Sequence, residues 1–298
     1  MKLQTMLFGL CAGPLLGLSL LASAADDAPS VTTTAINDHL YLLKGRGGNV
    51  VASVGSDGVL LIDDDYANYQ PAYKAAIAKL GNDQARFVIN THWHGDHTGS
   101  NAAWGETGSV IVAHDNVRQR LSTRQVNKFF DRVTEASPAA AWPLVTYAES
   151  MALHLNGDTI EVRHLPSGHT DGDSAVFFLE SNVLHTGDHF FKDRFPFVDL
   201  ASGGSVGGFI KNIETLLSMV GTDTVIVPGH GSLAGRQDLE NYLEMLLATR
   251  DEVHKLMKAG LKLEAIQATG LDQRWESWGG GFINEANWIA FIVASDQM

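Results

Sequence analysis

Four side chains able to hold a metal ion fall within six residues, in the run Thr91-His92-Trp93-His94-Gly95-Asp96-His97, which follows directly on the apolar segment Phe87–Asn90. On an extended segment His92 and His94 project to the same side. The turn at Gly95 can then carry Asp96 and His97 round to a second position. A solvated polar turn does not call for so dense a set of donors. Neutral imidazole and carboxylate are the groups expected around catalytic zinc. With twelve His and one Cys in the chain, a disulfide framework and a Cys-rich zinc ribbon are both excluded.

Three further segments repeat the arrangement. Gly168-His169-Thr170-Asp171-Gly172 lies in a turn between two predicted strands, Thr186-Gly187-Asp188-His189 follows the apolar run Val183–His185, and Pro228-Gly229-His230-Gly231 follows Thr224–Val227. Each sets a candidate donor just beyond a strand end, beside a glycine that permits an unusual turn. Such a chain must bring several strand ends to one edge.

The remaining pattern is compatible with that demand. Strands are expected at Leu40–Leu43, Asn49–Val54, Gly58–Ile62, Phe87–Asn90 and Ser109–Ala113, with helices at Asn68–Leu80 and Asn116–Leu121. Arg124–Ala141 is more polar and less regular, the pattern of an inserted lid. Strands then resume at Met151–Leu155, Thr159–His164, Ser174–Leu179, Val183–His185 and Thr224–Val227, with helices at Phe209–Val220, Leu239–Leu261 and Asn284–Ser295. Two strand-rich blocks, each followed by helices, predict two packed sheets with helices outside. The 298 residues are ample for a buried core, and we read residues 26–298 as one domain built from two similar halves. A formal charge of −13 argues against a nucleic-acid partner, which requires a basic footprint.

Met1 to Ala25 has the features of a cleaved export signal: Lys2 at the start, an apolar run Met6–Leu21, and Ala22-Ser23-Ala24 as a small-residue cleavage site. The run is short for a membrane span, and Cys11 is poorly placed for lipidation. Cleavage removes Lys2, taking the charge from −13 to −14, together with the only thiol. The expected location is periplasmic or secreted, with no stable membrane insertion after processing.

The motif His92-x-His94-x-Asp96-His97, with His169, Asp188 and His230 further on, resembles the metallo-β-lactamase superfamily over essentially the whole mature chain. The resemblance implies an α/β chain folded as an αββα sandwich. It implies two Zn2+ per chain, with iron or manganese compatible with the same donors. His92, His94 and His169 would hold one ion, Asp96, His97 and His230 the other, and Asp188 would bridge them. The catalytic candidates are Asp96, whose second oxygen could orient the attacking water or relay its proton, and His230. Asp63, at the end of Gly58–Ile62, is either an acceptor for one of these imidazoles or an ordinary strand-end carboxylate.

The superfamily hosts many reactions. The expected activity is hydrolysis of a small-molecule ester, lactone, lactam or thioester by metal-activated water. Asp188 stands where β-lactamases of this superfamily generally use Cys or Ser, which counts against a dedicated lactamase without removing that alternative. A bridging Asp is similar to glyoxalase II and the lactone-hydrolysing members, but the chain after Leu261 does not match the glyoxalase II helical portion. A metal-binding relative with a sensing or partner role is a further alternative. Gly45-Arg46-Gly47-Gly48 reads as a flexible hairpin tip over the site, where Arg46 or Lys44 could meet an anionic substrate, or as a plain solvated turn. His189-Phe190-Phe191 and Phe195-Pro196-Phe197 could wall the site or pack in the core. Trp93 is expected to pack beside it. Gly203-Gly204-Ser205-Val206-Gly207 matches a nucleophile elbow but lacks a strand immediately before Ser205. His39, His114, His154, His164, His185 and His254 follow no pattern and read as structural.

Overall fold

Period-two alternation builds the first sheet. In Gly58–Ile62, Leu60 and Ile62 face one side and Val59 and Leu61 the other, and all four are buried. A strand apolar on both faces needs a layer on each side. The computed structural model, which describes residues 28–127 and 129–297, supplies both; the leader read at Met1–Ala25 lies outside the described residues.

Seven strands form the first sheet. Thr32–Ala35, Leu40–Lys44, Val50–Gly55 and Gly58–Ile62 form an antiparallel meander. Ala85–Ile89, Val110–His114 and Val145–Tyr147 continue it in parallel. The second sheet has five strands, Ser150–Leu155, Asp158–His164, Ser174–Phe178, Val183–His185 and Val225–Val227, of which only the last pair is parallel. The two halves are therefore unequal.

Leu60, Ile62, Ile89 and Val112 of the first sheet meet Ile160, Val162, Val176 and Phe178 of the second in one buried layer. On its outer face the first sheet packs Leu61 and Val88 against Tyr73 and Ile77 of the helix Gln70–Ala78 and against Trp104. Ala175, Leu184 and Ile226 of the second sheet pack against Val206–Met219, Arg236–Lys258 and Glu285–Ser295. The layer order is helix, sheet, sheet, helix: the expected αββα sandwich.

The ends of several expected helices are set by local hydrogen bonds. Ser205 Oγ accepts from the Gly208 amide and starts its helix three residues before Phe209. Asp238 accepts from the Gly235 amide and starts the long helix ahead of Leu239. Asn284 caps the last helix through the Asn287 amide. The strands Thr32–Ala35 and Val145–Tyr147 and the helix Leu263–Thr269 escape a periodicity reading because each is short.

Parallel pairing sends the ends of Gly58–Ile62, Ala85–Ile89 and Val110–His114 to one edge, and those of Val183–His185 and Val225–Val227 likewise. Asn49 joins the two edges: its amide donates to Gly229 O at 2.8 Å and its side chain to Pro228 O at 2.7 Å, while His185 Nε2 donates to its carbonyl. Phe178 is fully buried between the sheets. Phe178→Ala should cost about 3–5 kcal/mol of unfolding free energy, read from the midpoint of guanidinium denaturation.

Candidate metal centre

The strand Ala85–Ile89 ends in the donor cluster. His94 has extended backbone, and Gly95–Thr98 then makes a single helical turn, so Asp96 and His97 swing away from His92 and His94. His169 lies in the turn before Ser174–Phe178. Its neighbour Asp171 is not among the clustered donors but forms a two-point pair with Arg120, at 2.7 Å for each bond, that anchors this turn to the helix Asp115–Leu121. Asp188 sits in the short turn Gly187–His189, and His230 follows Val225–Val227.

All seven sequence-predicted donors come together, in two groups: His92, His94, His169 and Asp188, and Asp96, His97 and His230. In the first group His94 Nδ1 lies 3.1 Å from His92 Nε2 and 2.8 Å from His169 Nε2. In the second His97 Nε2 and His230 Nε2 are 3.4 Å apart, and Asp96 Oδ2 is 3.4 Å from His230 Nε2. Asp188 spans both. Its Oδ2 lies 3.5 Å from His169 and 3.8 Å from His92, and its Oδ1 lies 3.1 Å from His97 and 3.4 Å from His230.

Hydrogen bonds behind the rings set which nitrogen faces inward. His97 Nδ1 donates to Asp63 Oδ2 at 2.8 Å, His94 Nε2 to Asp199 Oδ2 at 3.0 Å, and His169 Nδ1 to Phe197 O at 2.7 Å. A proton held on the outer nitrogen leaves a lone pair on the inner one. Lone pairs converging within about 3 Å repel unless a cation or proton lies between them, and Asp188 Oδ1 is buried without a hydrogen bond. This donor set fits a metal.

The electrostatics divide the groups. Burial pushes the His92 imidazole well below its ordinary range and His169 down to about 4. Burial also opposes charge on His97 and His230, but the surrounding carboxylates outweigh it: His97 is held well above its usual value by Asp188, Asp96 and Asp63, and His230 is raised to about 9 by Asp188 and Asp96. Burial opposes the Asp188 carboxylate too, yet the His97, His230 and His92 rings keep it well below the usual carboxylate range.

Asp63 is therefore an imidazole acceptor, and its other oxygen accepts from the Thr91 amide at 2.7 Å. Asp199, Asp65 and Thr91 were not singled out from the sequence. Asp199 carries no local motif, and its place beside His94 is a long-range contact. Asp65 accepts from the amides of Arg46 and Gly47 at 2.9 and 2.8 Å and from Tyr73 Oη. The Gly45–Gly48 loop is thus pinned, contrary to the flexible tip expected. Lys44 Nζ donates to Gly231 O and the Arg46 guanidinium lies over the Tyr66 ring. At Gly48 a Cβ would lie 2.2 Å from His97 Cε1, and at Gly229 one would lie 2.1 Å from Asp188 Oδ1, so only glycine lets these loops approach the cluster.

The phenylalanines divide between wall and core. Phe197 stacks on His94 with centroids 5.5 Å apart and Phe191 on His230 at 5.3 Å, whereas Phe190 and Phe195 are buried against Tyr242 and Trp288. Trp93 packs beside His94 and against Val117 and Leu121. Ser205 is occupied as a helix cap and donates to Ser167 O, so the elbow reading has no nucleophile. The other histidines serve structure: His39 bonds Asp158 and His114 stacks on His164. His189, which the sequence grouped with the Phe wall, is instead bonded to Asn212.

Residues 43–232 match the model of the metallo-beta-lactamase superfamily. The chain is 22% identical to the alpha subunit of 2,4-dinitroanisole O-demethylase from Nocardioides sp. (strain JS1661), over 79% of this chain and 68% of that one. It is 28% identical to the hydroxyacylglutathione hydrolase GloC of Haemophilus influenzae, over 49% of this chain and 69% of that one. A metallo-beta-lactamase from Pontibacter korlensis shares the fold with a TM-score of 0.60 at 17% identity, covering 73% of this chain and 99% of its own. With the sandwich, the clustered donors and the family match in agreement, the chain belongs to the metallo-beta-lactamase superfamily of metal-dependent hydrolases.

Proposed function

We propose that the chain is an exported hydrolase with two metal ions, cleaving the carbonyl group of a small ester, lactone, lactam or thioester. The observation that carries this reading is Asp188, whose two oxygens face different groups of imidazoles. In the proposed site His92, His94 and His169 would hold one ion and Asp96, His97 and His230 the other, with Asp188 placed to serve both. The donors suit zinc, as they do iron and manganese, and elemental analysis of the protein as isolated identifies the ion. Bound there, a pair of cations supplies acidified water and Lewis-acid stabilisation of a developing oxyanion.

The chain's own residues do the remainder. Asp96 directs Oδ2 towards His230 and His97, which leaves Oδ1 to accept a proton from the attacking water. Its side chain is 24% exposed, so substrate and water reach it, whereas Asp188 is 4% exposed and held as a fixed charge. His230 fixes Asp96 from one side while stacked on Phe191. Phe197 and Phe191 restrict water on the flanks, and Asp63 and Asp199 hold the rings in register.

Export rests on the composition of the leader and on the absence of Cys after it. It is tested by N-terminal sequencing of protein recovered from the periplasm of an expressing bacterium. A start near Asp26 is expected, and recovery of the intact leader in the cytoplasm would count against export.

Asp96→Ala should lower turnover by about 10²–10⁴-fold with far-ultraviolet circular dichroism unchanged. Undiminished turnover across a panel of aryl esters, lactones, thioesters and nitrocefin would remove the mechanism. Asp199→Asn should weaken metal retention by about 10–100-fold against a competing chelator, since His94 loses its charged acceptor.

Acidity should separate loaded from stripped protein. In protein stripped by chelator, the His230 proton contributes stability that is complete below its unfolded pKa of about 6.5. That stability is lost as pH rises through about 9. A bound cation displaces this proton and so favours the opposite trend. The difference in melting temperature between loaded and stripped protein should therefore widen from pH 6.5 to 9; a constant difference would contradict the assignment.

A further inference from the structure

The segment Arg124–Ala141, read from sequence as a lid, contains a hairpin of Gln125–Asn127 paired with Arg132–Thr134. One asparagine ties this hairpin to the candidate metal centre. Asn127 Oδ1 accepts from the amides of Phe129 and Phe130 at 3.0 and 3.2 Å, closing the hairpin tip. Its Nδ2 donates to Asp199 Oδ1 at 3.0 Å, and Asp199 Oδ2 accepts from His94. At the tip the Phe129 ring centre lies 4.6 Å from that of Phe291 and the Phe130 ring centre 5.3 Å from that of Phe197, while Phe129 keeps an exposed face.

Beneath the hairpin lies a cleft of about 420 Å³, walled chiefly by Val126, Phe129, Phe197 and Phe291. This is the size of a small-molecule site. Its two polar lining residues, Asn127 and Asp199, are committed to each other, to His94 and to the hairpin turn. Among the described residues no basic side chain lines it, and its one ionisable lining residue is the carboxylate of Asp199. Phe197 forms the shared wall, one face of its ring lying on His94. Val126 and Phe129 are 44% and 42% exposed, an apolar rim that an occupant would cover.

We propose that this cleft is the substrate subsite, taking an uncharged hydrocarbon group, preferentially an aromatic ring, while the scissile carbonyl lies at the metal centre. The claim about the scissile bond rests on the hydrolase reading; the claim about the cleft does not. Three phenyl rings bind a planar apolar group by edge and face contacts as well as by area, and among the described residues no basic side chain lines the cleft to pair with an anionic end. The class is therefore a compound with its hydrolysable bond a short distance from an apolar body.

The test uses full-length protein processed at its leader and loaded with zinc. Hydrolysis of methyl acetate and methyl phenylacetate is followed by pH-stat, and binding of the neutral dye N-phenyl-1-naphthylamine by fluorescence. The variants Phe129→Ser and Val126→Asp lie at exposed hairpin positions, and thermal melting checks their fold. A preference for methyl phenylacetate is expected, falling about tenfold in each variant through KM. Dye affinity should fall by a similar factor in loaded and stripped protein alike, and the anionic analogue 1-anilinonaphthalene-8-sulfonate should bind more weakly than the neutral dye. Equal loss on both esters, unaltered dye binding in both variants, or tighter binding of the sulfonate would overturn the proposal. If neither ester is cleaved, the carbonyl-hydrolase reading fails for these esters while the dye measurements still decide the subsite.

Discussion

A single carboxylate, Asp188, organises this molecule. It is almost wholly buried, and burial alone would force it to protonate. It is kept charged by three imidazoles, those of His97, His230 and His92, which converge from two strand ends, His92 and His97 after Ala85–Ile89 and His230 after Val225–Val227. The cluster in turn depends on it, because the cation or protons that must lie between the converging lone pairs need an anion to balance them in the interior. The anion and the rings are tolerable in the interior only together, with a cation or protons completing the balance. Removing Asp188 would leave the rings without the charge that balances whatever cation or protons they hold.

Around this core stands a layer of acceptors that does no chemistry itself. Asp63, Asp199 and the Phe197 carbonyl each accept a hydrogen bond from the outer N–H of one ring. The same groups reach outward into the fold. Asp63 binds Thr91 and so closes the strand end that carries His92. Asp199 holds Ser202 and Asn127, and through Asn127 the hairpin over the apolar cleft. Ring orientation, loop position and cleft wall are in this way coupled through single carboxylates. Such coupling explains why buried, charge-bearing residues outside the motif can matter as much as those within it.

Much of the site was legible in the chain because its donors lie in short segments at strand ends. His92, His94, Asp96 and His97 share six residues, and His169, Asp188 and His230 each carry a neighbouring glycine. Apolar periodicity located most of the longer strands and helices for the same reason: alternation and helical spacing are local properties. Element ends were less legible. Ser205, Asp238 and Asn284 move helix starts through single capping bonds. The Gly45–Gly48 loop looked free because nothing nearby in sequence restrains it. Asp65, eighteen residues beyond Gly47, pins it.

The sequence by itself therefore determined the layered α/β class and the imidazole and carboxylate donor inventory. These follow from residue type and short-range spacing. Tertiary structure alone decided that Asp188 faces both donor groups, that Asp199 backs His94, and that Phe197 and Phe191 form wall while Phe190 and Phe195 form core. Those outcomes depend on which strand ends meet at the edge of the sandwich, and the approach of residues 94 and 199 is set by packing between sheets, helices and loops rather than by any local preference.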